Sequence, residues 1–353
     1  MSKITQPPIA PLVIAVTFGQ PGDQQTVTAT LISNASARPV ATASVALKQL
    51  TTRGVTAAIV AACAQLVEHE ARQGAAIKAV TIAVPGHLDP RSGRITLDWP
   101  GWTRVALTTQ VERALGEAGI PVLCADDGEH TTANLPVMLN TTPVALAAAE
   151  CWTGAARSKS HAVYVELGAQ ISTGIIVDGR AFYGADGWAG ASGWLAVGSE
   201  FKQEYEGLGC LNAESGQSAL VRRALEEYAG DASSMLGSLI MNSPEQLTPE
   251  MIVRAARGGE ALALKVISEH CRWLGRGLAN LISLFNPEVI VLSGELGRAL
   301  NPFLDEVREE ARRWAFKAAA SDCPILLAKL SDNAALIGAA KLAWWQLSSL
   351  AAV

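Results

Sequence analysis

Residues 165–174, VELGAQISTG, set glycine, alanine, serine and threonine between two runs of strand character. A turn of such small residues lets backbone amides close on a ligand, and it serves equally to reverse the chain. A second chemical candidate is VLCADDGE, residues 122–129, in which Asp126 and Asp127 follow a short apolar stretch. Adjacent carboxylates repel and can raise one pKa toward the range of a general base; two acids after a strand also cap a following helix. Trp99, Trp102 and Trp194 supply flat faces that stack on a ring-shaped ligand or fill a core. The six cysteines, Cys63, Cys124, Cys151, Cys210, Cys271 and Cys323, lie far apart with no Cys-x-x-Cys spacing. They read as reduced, buried thiols rather than metal ligands or a disulfide framework.

To position those groups the chain offers the same order of elements twice. Extended runs at 12–17, 26–33 and 41–47 precede a helical pattern over 56–72 and a strand at 78–84. A helix over 105–118, a short strand at 122–125 and a helix over 144–155 follow, with 128–143 and its two prolines read as an insertion. The second half starts over with strands at 161–167, 175–177 and 181–183. Helices over 218–228, 249–256 and 261–285 lead to a strand at 289–292, a helix over 302–319, a strand at 325–328 and a closing helix from 333. A meander followed by βαβ units, occurring twice, predicts an α/β protein of two related domains with a cleft between them. The boundary falls near 120 or near 157; we divide the chain as 1–120 and 121–353, with the terminal helix able to pack back on the first domain.

At 353 residues and 49% hydrophobic content the chain can fill two cores, which excludes a disordered protein. A net charge of -5 without a Lys/Arg run gives no general attraction to nucleic acid or anionic membrane. No apolar run reaches the ~18 residues of a membrane span, and MSKITQPPIAP lacks a signal core, so the expectation is a cytoplasmic protein without a membrane partner.

The turn at 168–174 is followed by Gly179, Gly184, GWAGASGW (187–194) and GLGCLNAES (207–215), and later by NPEVIVLSGEL (286–296) and DNAALIGAA (332–340). Before it stand IAVPGHLDPRSGRI (82–95), DWPGW (98–102) and Ala155-Ala156-Arg157. In order and spacing these resemble the ROK family, named for repressors, open reading frames and kinases, across essentially the whole chain. The resemblance implies two actin-like ATPase (ribonuclease H-like) domains and, in the enzymes, ATP-dependent phosphorylation of a hexose or amino sugar. It places Gly19, Gly168, Ala169, Gln170, Gly294, Glu295 and Asn333 at the nucleotide. Asp127 falls at the general base, and Asp98, Asp126, Trp194 and Asn212 at the sugar.

Against that pattern the chain departs repeatedly. In the first phosphate turn Val16 stands where the family has Asp and Phe18 where it has Gly; Gly19 is retained, and Pro21 removes an amide donor. In the second, Ala169 replaces a threonine while Gln170, Ser172 and Thr173 replace glycines whose bareness admits phosphate. The family's Glu-x-Gly-His becomes Ala191-Ser192-Gly193-Trp194, a later Glu becomes Asn212, and Asp98 replaces an Asn. Its four zinc ligands read Trp194, Gln203, Tyr205 and Cys210, so no zinc is expected. Gly294 and Gly338-Ala339-Ala340 match segments beside adenosine, where small residues also serve close packing. ATP and magnesium are therefore expected to bind weakly at best. Two readings follow: a remodelled kinase with Asp127 as base, or a non-catalytic descendant that binds a sugar or associates with proteins. Family repressors carry an N-terminal helix-turn-helix domain, and the little chain ahead of residue 12 leads to the expectation of no direct DNA binding. The expected partners are a sugar and a second copy of the chain.

Overall fold

The structure is a computed structural model that describes residues 10–19, 25–71, 76–120, 136–228, 230, 234–331 and 333–350. The chain divides into two compact units, Met1–Gly154 with Arg180–Trp188 and Leu330–Val353, and Ala155–Gly179 with Ala189–Lys329.

In the first unit β1 (Leu12–Phe18), β2 (Thr26–Ser33) and β3 (Ser36–Ala46) form an antiparallel meander, followed by α1 (Thr52–Ala71) and β4 (Ile77–Val84). A small hairpin, β5 (His87–Asp89) and β6 (Arg94–Thr96), leads to α2 (Leu107–Glu117), β7 (Val137–Thr141) and α3 (Thr142–Thr153). The sheet order is β3-β2-β1-β4-β7, with β4 parallel to both β1 and β7. Strand β1 is buried on both faces, which its sequence LVIAVTF permits. Ile14, Val16 and Phe18 join one core with Ile59 and Leu66 of α1, while Val13 and Ala15 join another with Val144 and Ala148 of α3.

Two expectations are corrected here. The stretch read as an insertion contains β7, which pairs with β4 from Val80↔Val137 to Val84↔Thr141. Because β7 completes this sheet and α3 packs on it, contacts divide the chain after Gly154 and not at residue 120. The expected strand at 122–125 lies outside the described residues.

The second unit opens with the hairpin β8 (Ala162–Leu167) and β9 (Ile171–Val177), in register from Ala162↔Ile176 to Leu167↔Ile171. Strand β10 (Arg180–Ala181) then carries the chain back into the first unit as far as Trp188. Helices α4 (Tyr205–Leu208), α5 (Cys210–Ser215), α6 (Gln217–Glu226), α7 (Met235–Asn242), α8 (Pro249–Arg257) and α9 (Ala261–Phe285) precede β11 (Val289–Ser293). After it come α10 (Gly294–Ala299), α11 (Leu304–Trp314), α12 (Lys317–Asp322) and β12 (Ile325–Leu327). Within this unit the strands run β9-β8-β11-β12, the last two pairings parallel. Helix α9 buries Ala263, Val266, Ile267, His270, Cys271, Leu274 and Leu278, the three-to-four spacing of one apolar stripe. It stops at Asn286, left-handed at φ 44°, followed by Pro287. The single helix expected over 302–319 is two, since Ala315 is extended and ends α11.

Helix α13 (Ala334–Leu350) returns to the first unit, where it packs on α3 and β1. The approach to α3 is close enough that a Cβ on Gly338 would collide with the Ala145 carbonyl oxygen. Substituting Gly338→Ala is expected to destabilise by about 1–3 kcal/mol, as overpacking of a filled interior does, despite alanine's better helix propensity. Urea denaturation checks this; a variant as stable as the parent would mean that the two helices can part at no cost. Among the described residues no helix is long and apolar enough to cross a membrane.

Candidate functional site

The turn between β8 and β9 is tied down by its neighbours. Ile171, the first residue of β9, donates its amide to Asn212 Oδ1 at 2.6 Å, and Asn212 Nδ2 donates to the Leu208 carbonyl at 2.9 Å. Two of the side chains that replace glycine, Ser172 and Thr173, turn inward to partners as well. Ser172 Oγ donates to Glu166 Oε2 at 3.2 Å, and Thr173 Oγ1 hydrogen-bonds Ser192 Oγ. Burial raises the Glu166 carboxyl above its ordinary range, opposed by the Ser172 hydroxyl and the Arg298 charge. Gly168 is half-buried, and Ala169 and Gln170 are exposed at the tip. Gly294 follows β11 directly and abuts Leu167, with Glu295 exposed beside it. The second unit thus gathers Gly168, Gly294 and Asn212 around one hairpin end. Trp194, reached through the short helical turn Ser192–Trp194, is 56% exposed.

Next to this hairpin end lies a polar cluster that sequence reading missed. Glu214 on α5 is 3% exposed, pairs with Arg223 at 3.1 Å and with Lys202, and accepts a hydrogen bond from Tyr205. Burial raises its carboxyl, and the hydrogen bonds from Lys202 and Tyr205 with the charges of Lys202 and Arg223 more than reverse this, leaving it below the usual carboxylate range. Val197 N donates to Cys210 Sγ at 3.4 Å. Two of the four positions at which zinc ligands were sought, Tyr205 and Cys210, therefore serve this cluster and its surroundings. Among the described residues no group of three or more His, Cys, Asp or Glu could hold a metal ion. Glu288 acts locally too, since its carboxylate accepts from the amides of Ser160 and His161 at 2.7 and 3.0 Å and so fixes the entry to β8.

In the first unit, Gly19 donates its amide to the Thr26 carbonyl at 3.1 Å and closes the β1–β2 ladder. Phe18 is buried against Trp99 and Trp102, with ring centroids 5.9 and 6.0 Å away. Those two tryptophans are core residues; Trp102 Nε1 donates to the Leu50 carbonyl at 2.6 Å. Asp98 and Asn333 are exposed. Asp126 and Asp127 lie outside the described residues. The strand that leads into α3 is β7, and its carboxyl end carries Asn140 and Thr141, followed by Thr142 and Pro143. Asn140 is fully buried, donating to Thr81 Oγ1 at 3.3 Å and accepting from Tyr183 at 2.6 Å.

Two α/β units, each with an antiparallel hairpin extended by parallel strands, make up the two-domain actin-like ATPase fold. The structure aligns over 94% of this chain and 98% of a ROK family glucokinase from Streptomyces griseus solved with glucose and AMPPNP, with a TM-score of 0.66 and 28% identity. The ROK family profile matches residues 26–345, and the chain belongs to that family. It is 27% identical over 270 residues to the xylose repressor of Caldicellulosiruptor bescii, spanning 74% of this chain but 61% of that protein. It is also 27% identical over 298 residues to the DNA-binding transcriptional dual regulator NagC of Escherichia coli K12, covering 83% of this chain and 66% of NagC. The expectation that DNA is no direct partner is corrected by these regulators, because the relatives that the chain matches include a DNA-binding protein.

Proposed function

We propose that this chain is a sugar-binding member of the ROK family that does not transfer phosphate. The observation that carries the reading is the end of β7. The strand that enters α3 ends in Asn140, Thr141 and Thr142, none of which is a carboxylate, and Asn140 is consumed by interior hydrogen bonds. A kinase needs a group to accept the proton of the attacking hydroxyl, and a neutral amide or hydroxyl is a poor base.

The phosphate side supports the same view. A nucleotide with magnesium does not fit these residues well. Phe18 fills its turn with a ring packed on Trp99 and Trp102, and the Ile171 amide is already donated to Asn212. Zinc fits no better, because Trp194 has no ligating atom and the Tyr205 hydroxyl donates to Glu214. Support for a sugar comes from the relatives on both sides, a glucokinase solved with glucose and a xylose repressor. Trp194, exposed on the second unit, presents a flat face able to meet a ligand's ring.

The test is ATP consumption with a panel of hexoses and N-acetyl hexosamines, wild type beside Asp127→Asn, with calorimetry on the same sugars. The expected result is binding of a sugar without sugar-dependent turnover in either protein. Turnover in the wild type that falls at least ~100-fold in Asp127→Asn would establish a kinase and overturn the reading.

A further inference from the structure

The outer face of the β5–β6 hairpin in the first unit lines a cavity of about 290 Å³ that includes none of the residues placed above at the nucleotide, the general base or the sugar. Its floor follows from strand alternation. Leu88 and Ile95 point into the core, so the opposed pairs His87↔Thr96 and Asp89↔Arg94 present their side chains on the other face. One wall is the segment Asp186–Trp188, seated against β5 because Gly187, at φ +83°, leaves room for the Leu88 carbonyl that any Cβ would strike. His87 Nε2–H donates to the Asp186 carbonyl at 2.6 Å, and the imidazole lies flat on the Trp188 indole, centroids 3.6 Å apart at 8°. This stack covers one face of Trp188 and leaves the side chain 63% exposed.

The other wall is Arg104, whose left-handed backbone, φ 53°, is held by its amide donating to Thr96 Oγ1 at 3.1 Å and by its carbonyl accepting Arg94 Nη1 at 2.8 Å. Most of the charges here are already engaged. Asp89 accepts from Ser92 Oγ at 2.6 Å and from the Arg91 amide at 2.9 Å, and Asp186 pairs with Arg91 at 3.3 Å. The Arg104 guanidinium makes no hydrogen bond or ion pair among the described residues; its charge is felt by the Asp89 carboxyl without direct contact, and the backbone that carries it is fixed.

We infer that this cavity is a binding site for a single sugar ring bearing an anionic group, a phosphate ester or a carboxylate, with the ring against Trp188 and the anion on Arg104. A guanidinium takes either anion through paired N–H donors, and an indole face takes the C–H face of a pyranose. The floor sets a donor, an acceptor and a hydroxyl side by side, Arg94, Asp89 and Thr96, which suits the hydroxyls of a sugar better than the sparse edge of a base. The volume, near the lower bound of small-molecule sites, limits the ligand to about one ring.

The experiment is calorimetric titration of the whole chain with glucose 6-phosphate, glucuronate, glucose and inorganic phosphate, for wild type, Trp188→Ala and Arg104→Asn. Asparagine tolerates the left-handed backbone at 104, and the exposure of Trp188 makes its removal harmless to folding. One of the two anionic sugars should bind the wild type, and the phosphate and carboxylate arms identify which anion is preferred. Each variant should weaken it at least ~10-fold, while any affinity for neutral glucose, which reports on the separate sugar-binding proposal, stays unchanged in Trp188→Ala. Equal affinity of variants and wild type for the anionic sugars, no binding of either anionic sugar at millimolar concentration, or binding of inorganic phosphate as tight as that of the sugar would each overturn the assignment.

Discussion

Replacing Glu214 with alanine is expected to cost about 3 kcal/mol of stability, because it leaves the buried Arg223 guanidinium with only the half-exposed Glu269 carboxylate, 3.6 Å from its Nε, as a counter-charge. Arg223 is 4% exposed and donates through Nη2 to Glu214 Oε2 at 3.1 Å, so water cannot take over that role. Lys202, whose side chain is 51% exposed, should matter far less: Lys202→Ala is expected to cost at most about 1 kcal/mol. Glu214→Gln, which keeps an acceptor for the Tyr205 hydroxyl, should fall between them. Denaturant unfolding of the three variants checks the order. Equal losses for Glu214→Ala and Lys202→Ala would show that the buried Glu214–Arg223 pair is not what holds α4, α5 and α6 together. The same experiment addresses zinc, since protein washed with a strong chelator should unfold at the unchanged midpoint if these side chains, and no metal, fix the segment.

Acidification supplies the second large effect. His270 on α9 is completely buried, and burial, with the nearby Arg223 charge, pushes its pKa down from 6.5 to about 3. A histidine depressed in the folded state stays neutral there while the unfolded chain takes up a proton below pH 6.5. Stability is therefore complete above about pH 6.5 and declines as pH falls from there toward 3, at about 1.4 kcal/mol per pH unit. Between pH 7 and pH 5 the loss should reach about 2 kcal/mol, before Glu214 and other low-lying carboxylates begin to titrate. Unfolding free energies at pH 7, 6 and 5 for wild type and His270→Gln provide the check: the variant is less stable throughout but should lack most of this slope. A slope unchanged in His270→Gln would assign the acid sensitivity to other groups.

Much of the fold was legible because its strands and helices carry their periodicity locally. Residues 26–33 and 261–285 were placed at the observed bounds of β2 and α9, where β-branched residues in one case and an apolar stripe in the other admit a single reading. Strand β7 was not legible. VMLNT is five residues long and bounded by Pro136 and Thr142, and what makes it a strand is its parallel pairing with β4, a contact more than fifty residues distant in sequence. The catalytic assignment rested on VLCADDGE, which lies outside the described residues. The start of β9 was set four residues late for a similar reason: the small residues Ser172, Thr173 and Gly174 look like turn, yet Asn212 holds the Ile171 amide and Thr173 bonds Ser192. The even choice over Trp99 and Trp102 resolves to core because Phe18, the residue that displaces glycine, gives them a ring to pack on. The Glu214 cluster had no sequence signal, since its members are spread from Lys202 to Arg223 with no repeating interval.

The return of α13 to the first unit has a consequence for the order of events during synthesis. Val13 and Ala15 of β1 and Ala79 and Ala83 of β4 share a core with Leu336, Ala339, Ala340 and Trp344, residues at the far end of the chain. While the ribosome is still producing the second unit, that apolar surface on the nascent sheet has no helix α13 to cover it. The second unit, drawn from Ala155–Gly179 and Ala189–Lys329, can close its own core first even though it is made later. A nascent chain halted before Leu330 should therefore display the sheet face as a chaperone-binding and aggregation-prone surface, and completion of the first unit should wait until α13 has emerged from the ribosome.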